Sequence, residues 1–414
     1  MKNLIEIMAP ISHFDSLNSA IQANCDSVYF GIEELNMRAN SSKNFRINDL
    51  KKLSKICKEN NIKCYLTLNT IIYDDEINVV KNILIEAKKN KIDAIIAHDM
   101  SVLNLAKDLG LNIHISTQAN ISNIEAVKYY SKFADVVVLA RELSLDQIKN
   151  IAKKIKEENI KGPSNKLIKI EAFVHGALCV AISGKCYMSL HKYNTSANRG
   201  KCLQACRRKY RVIEEETNKE LIIDNKYVMS PKDLCTIANI DKLIEGGIQV
   251  FKIEGRAKST EYIYTTVKCY KEATQAYFEN TYTKEKVDYW LDELKKVFNR
   301  GFWMGGYYLG KETEMWTNSY GSQAKEVKIY IGKATNYFSK INVGEFIIHS
   351  HSLSINDDIL IIGNTTGSFK TKVITMQKDK EIKTANKGDL ISIKLDKKIR
   401  KGDKLYLVQK VKNA

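Results

Sequence analysis

The segment LIKIEAFVHG, residues 167–176, is an unbroken run of β-branched, aromatic and alternating polar residues that stops on a histidine and a glycine. Seven runs of the same texture accompany it: LIEIMA (4–9), DSVYFG (26–31), IKCYLTLN (62–69), IDAIIAH (92–98), LNIHIST (111–117), ADVVVLA (134–140) and IQVFKIEG (248–255). Lysine-rich stretches with helical spacing lie between most of them, the alternation expected of a parallel sheet wrapped in helices. Eight such units fit a closed barrel better than an open doubly wound sheet. The spacing is regular until residue 176, after which about 70 residues separate the seventh run from the eighth. The expected fold is therefore α/β: a TIM-like (β/α)8 barrel over residues 1–320 with an insertion at 176–247.

Within the insertion, alternation around Thr217-Asn218 reads as a hairpin. SPKDLCTIANIDKLIEGG (230–247) reads as a helix, with Ser230 as N-cap, Pro231 at the first helical position and Gly246 as its stop. Residues 259–280 and 284–298 carry helical apolar spacing that closes the barrel. From about residue 325 the pattern changes to short strands with turn signals, read as a small all-β barrel domain over 325–414. The glycine- and aromatic-rich stretch 301–321 is the linker between them.

Charge and cysteine usage narrow the chemistry. The formal net charge is +17, and residues 325–414 hold 18 Lys/Arg against 9 Asp/Glu. A basic module of this kind suits a polyanion, of which RNA is the commonest in cytoplasm; a lysine-rich solvated surface is the plainer reading. MKNLIEIMAP carries a glutamate inside its apolar run, and ADVVVLA is too short to cross a bilayer. A cytoplasmic protein with no membrane association is expected. Nine cysteines, an odd number, argue against a disulfide framework. Cys179, Cys186, Cys202 and Cys206 crowd one polar stretch, with Cys235 further on. None of the spacings is a zinc-ribbon pair, so they indicate metal ligation without naming the metal. Cys25, Cys57, Cys64 and Cys269 sit among apolar neighbours and read as core. Basic residues from Arg199 to Arg211 share the cysteine stretch and favour thiolate and anionic ligands.

Reactive groups in such barrels gather where strands finish. Asn69, His98-Asp99, Ser116-Thr117-Gln118, Arg141-Glu142, His175-Gly176 and Glu254-Gly255-Arg256 should ring one mouth. Lys252 and Glu254 alternate with Phe251 and Ile253 and should point into the barrel, where with Arg256 they form either an ion network or an anion site.

EAFVHGALCVAISGKCYMS, NRGKCLQACR, MSPKDLC, STQANISN, ARELSL and FKIEGRAKS together resemble the signature of peptidase family U32. That family includes RNA hydroxylases and ubiquinone-pathway hydroxylases carrying a 4Fe-4S cluster. The resemblance implies a tRNA-modifying enzyme that hydroxylates C5 of the wobble uridine with prephenate as cosubstrate. Beside tRNA it implies a homologous U32 partner subunit, and it leaves a peptidase or a non-catalytic RNA-binding partner as rivals. It assigns Cys179, Cys186 and Cys202 to the cluster, with the fourth ligand at Cys206 or Cys235. Cys235 is the expectation, because it comes from a separate element whereas Cys206 lies one helical turn from Cys202. His175, Glu254 and Lys252 are the catalytic candidates, with His175 or Glu254 moving a proton. Arg141, Gln118 and Arg256 are the candidates for holding the cosubstrate.

Overall fold

A computed structural model describes residues 5–33, 35–40, 43–218, 220–221, 229–309, 316–319 and 321–411. Eight parallel strands run in sequence order: β1 (Glu6–Pro10), β2 (Ser27–Phe30), β3 (Lys63–Leu68), β4 (Ala94–Ala97), β5 (Ile113–Ile115), β6 (Val136–Val138), β7 (Lys169–Ala177) and β8 (Val250–Ile253). β8 pairs with β1 on one side and β7 on the other, so the sheet closes into the expected barrel.

Strand alternation sorts the side chains into two cores. Ile7, Val28, Leu66, Ile95, Phe251 and Ile253 face the helices and join the large outer core. Met8, Tyr29, Tyr65, Ile96, Val136 and Val250 fill the barrel's interior. Above that apolar layer lies a polar one: Lys252 Nζ donates to Glu171 Oε1 at 2.6 Å, and His114 Nδ1 stands 3.1 Å from Glu171 Oε2. All three are buried. Burial by itself would raise the Glu171 pKa, but Lys252 and His114 outweigh it and hold the carboxyl below its usual value.

The insertion departs from expectation in one element. Asp233–Cys235 is a strand, pairing antiparallel with β7 and parallel with Phe302–Met304, and the helix is confined to Ile240–Glu245 after a single 3₁₀ turn. Pro231 cannot donate, and here it makes a β-bridge to Trp316 instead of opening a helix. Backbone pairing offered by the exposed side of β7 wins over the local helix signal. The expected linker thereby supplies a sheet strand. The expected hairpin is present as the pair Val212–Ile213 and Glu220–Leu221, and residues 222–228 lie outside the described residues.

Residues 326–410 form a seven-stranded antiparallel sheet around a second apolar core that includes Ile331, Phe346, Ile361, Ile391 and Leu405. Helix Phe14–Gln22 packs on strand Gly367–Lys372 of this unit. Asn18 Nδ2 donates to the Asn364 carbonyl at 2.6 Å and Gln22 Nε2 to the Thr366 carbonyl at 2.5 Å. Among the described residues no helix is long and apolar enough to cross a membrane.

Removing one member of a buried ion pair strands the other charge at a cost of about 3–5 kcal/mol. Glu171→Ala should therefore lower unfolding free energy in denaturant titration by that order. Adding Lys252→Met to it should recover most of the loss; a double variant no more stable than the single one would show that the pair does not organise the interior.

Candidate functional site

Residues 178–211 cross the barrel mouth as a strap, held by contacts to four loops. Arg199 donates to the Ile71 carbonyl at 2.5 Å and to Glu76 after β3. The Asn40 amide donates to the Gly200 carbonyl after β2. Asn120 reaches the Ser183 carbonyl at 3.4 Å, and Gly184 lies so near Gln118 that an added Cβ would stand 2.9 Å from its Cγ. Arg207 donates to the Leu178 and Pro231 carbonyls. Between strap and strand ends lies a cavity of about 190 Å³.

Four thiols line that cavity: Cys179, Cys186, Cys202 and Cys206. They sense one another. Burial raises the Cys206 thiol's pKa, Arg207 opposes the rise, and the thiolates of Cys179, Cys202 and Cys186 add to it. Among the described residues no three His, Cys, Asp or Glu side chains close on a point as ligands of a single ion do. Four cysteines in one lining are the number and kind of donors that an iron–sulfur cluster takes.

The same lining is strongly cationic. Arg38, Arg141, Arg207, Lys252, Arg256, Lys258 and Arg300 line the cavity, and among the described residues Glu254 is the one carboxylate in the lining. Burial alone would raise Glu254, but the guanidiniums of Arg38, Arg141 and Arg256 hold it down to about 2. Arg38 Nη2 donates to Glu254 Oε1 at 2.8 Å. Arg256 donates to Asn36 Oδ1 and Thr67 Oγ1, both at 3.0 Å, and burial lowers its pKa to about 10. Arg141 stacks 4.2 Å over Phe173 and donates to the Ala177 carbonyl, while its buried Nε has no hydrogen-bond partner. Lys258 has its ammonium over the Phe298 ring. Burial depresses it to about 7, with Asp233 opposing and Arg300 and Arg207 reinforcing the shift. So strong an excess of positive charge is built to receive an anion.

A protein-family model for peptidase family U32 matches residues 12–318. The chain belongs to peptidase family U32. It is 51% identical over 409 residues to a protein of Porphyromonas gingivalis named collagenase, covering 99% of each chain. It is 40% identical to an uncharacterized protease of Methanocaldococcus jannaschii, again over 99% of both. To the tRNA hydroxylation protein P1 of Bacillus subtilis it is 30% identical, covering 95% of this chain and 92% of that one.

Against this U32 frame the sequence-derived residues divide. Cys179, Cys186, Cys202, Gln118, Arg141, Lys252, Glu254 and Arg256 all line the cavity. Cys235 and His175 do not; they pair with each other across the sheet on the barrel's outer side. The cause is a bulge in β7: Phe173 pairs with Lys252, but His175 pairs with Ile253, so Val174 is an extra residue that turns His175 out of the barrel. His175 packs among Tyr262, Tyr270 and Phe302, and burial takes its pKa down to about 3. Cys235 is fully buried, with its thiol pushed up to about 12 by burial despite a hydrogen bond from Tyr270. The fourth thiol at the cavity is Cys206. His98, Asp99 and Glu142 also stand outside the lining, with Asp99 capping the helix Met100–Asp108.

Sequence reading missed Arg38, Lys258 and Glu171. Lys258 lies in FKIEGRAKS just beyond the strand end, within reach of the rule used for the mouth. Arg38 comes from a loop with no distinguishing pattern. Glu171 lies inside a strand, where only barrel closure shows which face is interior.

Because the cavity desolvates its amine, Lys258 should be half deprotonated near pH 7, whereas an ordinary lysine is so only near about pH 10.4. Competitive labelling with trace acetic anhydride, followed by peptide mass spectrometry, should give midpoints separated by about three pH units. An ordinary lysine midpoint at Lys258 would show that solvent reaches it freely.

Proposed function

We propose that this U32 protein is an RNA-modifying enzyme that hydroxylates C5 of a pyrimidine, with the wobble uridine of tRNA as its target and cytoplasm as its compartment. One observation carries the reading: four thiols and seven cationic side chains line a single small cavity. Such a cavity suits one small anion or one base taken out of its stack, not a length of polypeptide. The similarity to a tRNA hydroxylation protein over nearly the whole chain supports the same reading.

Cys179, Cys186, Cys202 and Cys206 are the proposed holders of a 4Fe-4S cluster. When bound, it supplies electron transfer beside the substrate. The chain's own residues do the rest. Arg141 and Arg256 bind the carboxylate of a prephenate-like cosubstrate. Glu254, ionised at every physiological pH, is too weak a base to take a proton; it holds Arg38 in place over the cavity. The proton-moving role expected of Glu254 or His175 passes to Lys258, whose amine is available in both protonation states near neutrality.

The collagenase-named relative favours a second reading, peptide hydrolysis. Among the described residues the cavity lining contains no histidine, so its thiols lack the neighbouring imidazole that activates a cysteine nucleophile.

Two cysteine variants test the cluster. Cys206→Ser should lose most bound iron and sulfide, the brown absorbance and the hydroxylated uridine in tRNA from a complemented deletion strain. Cys235→Ser should keep all of them. The reverse pattern would move the fourth ligand, and unchanged nucleosides in the deletion strain together with gelatin cleavage by purified protein would overturn the RNA reading.

A further inference from the structure

The outward side of the strap carries charges and rings that the cavity does not use. From Ala172 to Ile213, a stretch of 42 residues, the chain has no aspartate or glutamate and eight lysines and arginines. The 90 residues from 325 to 414 hold a net excess of nine, so positive charge is about twice as dense on the strap. Its residues also alternate in direction. Cys186 and Cys202 line the cavity, while their neighbours Lys185, Tyr187, Lys201 and Leu203 are exposed.

Tyr187 is 74% exposed, which is unusual for a ring in a segment tied down at so many points. Close by in sequence, cations already sit over aromatic faces: Arg208 stands 5.2 Å from the Tyr193 centroid and Lys192 5.6 Å from it. An interfacial membrane helix needs a continuous apolar face, and the one α-helix here, Met188–Tyr193, spans six residues. Exposed rings interleaved with lysines and arginines are what a single-stranded nucleic acid uses, stacking bases on the rings and laying phosphates on the cations.

We propose that the outer surface of the strap is the docking site for a single-stranded RNA loop, with a base next to the target stacked on Tyr187 and phosphates on Lys185, Lys201 and Arg208. The proposal rests on the RNA-modification reading and names the surface that reading needs. It also takes the loop contact away from the basic C-terminal unit, where Tyr330 already hydrogen-bonds His349 at 2.9 Å and packs edge-on to Tyr406.

Fluorescence anisotropy on the full-length holoprotein, with a labelled RNA hairpin carrying a uridine-containing loop and a blunt RNA duplex, reads this directly. The hairpin should bind more tightly than the duplex. Tyr187→Ala should weaken hairpin binding about tenfold, within the range of one lost base stack. It should leave the salt dependence unchanged. Lys201→Ala should reduce the slope of log Kd against log salt by about 0.7, one phosphate contact on a single strand. Tyr330→Ala should change neither. If the wild type binds the hairpin and Tyr187→Ala, with iron content and circular dichroism intact, binds it equally well, the docking surface is wrong and the RNA reading stands. If the wild type ignores the hairpin and sediments with phosphatidylglycerol vesicles, both fall.

Discussion

Mutual repulsion among seven cationic side chains around a cavity of about 190 Å³ is the constraint to which the rest of this structure answers. Left alone, that charge would be expelled to water. It is kept by Glu254, which binds Arg38 and is held ionised by three guanidiniums, by Glu171 on Lys252 and Asp233 on Arg300, by aromatic faces under Arg141 and Lys258, and by the thiols of the same lining. Lys258 answers chiefly to burial, which lowers its pKa to about 7, while Asp233 opposes the shift and Arg300 and Arg207 reinforce it. An anionic ligand relieves the same repulsion, so the cavity's electrostatics and its chemistry have one origin.

The barrel makes this arrangement possible by separating support from reaction. Below the mouth, Glu171 neutralises Lys252 within a buried interior that includes Tyr29, Tyr65 and Met8. Above it, the strap donates to the Ile71 and Pro231 carbonyls and accepts from the Asn40 amide, and so needs little regular structure of its own. The bulge at Val174 divides the last strand before the insertion into two parts, one facing the cavity through Phe173 and one buried in the outer core through His175.

Names within family U32 point in two directions, and 51% identity to a collagenase-named protein is much greater than 30% identity to a tRNA hydroxylation protein. A shared fold does not carry an activity with it; the site does. What this site holds is sulfur, guanidinium and an amine whose pKa burial lowers to about 7, with no imidazole among the described residues of its lining. Those groups bind anions, metals and protons, and on that chemistry rests the proposal of redox modification of a small target rather than hydrolysis of a chain.

Eight apolar runs, the long gap after residue 176 and the clustering of Cys179, Cys186 and Cys202 were all legible in the sequence, because period-two patterning and local crowding are one-dimensional properties. So was the inward direction of Lys252 and Glu254. Tertiary structure alone decided that Cys206 and not Cys235 lines the cavity with the other thiols, that Cys235 lies on a strand against Tyr270, that His175 turns outward, and that Arg38 reaches Glu254 from 216 residues away in the chain. The reason is physical: a one-residue bulge inverts the facing of everything after it, and an ion pair between distant loops leaves no trace in the spacing of either.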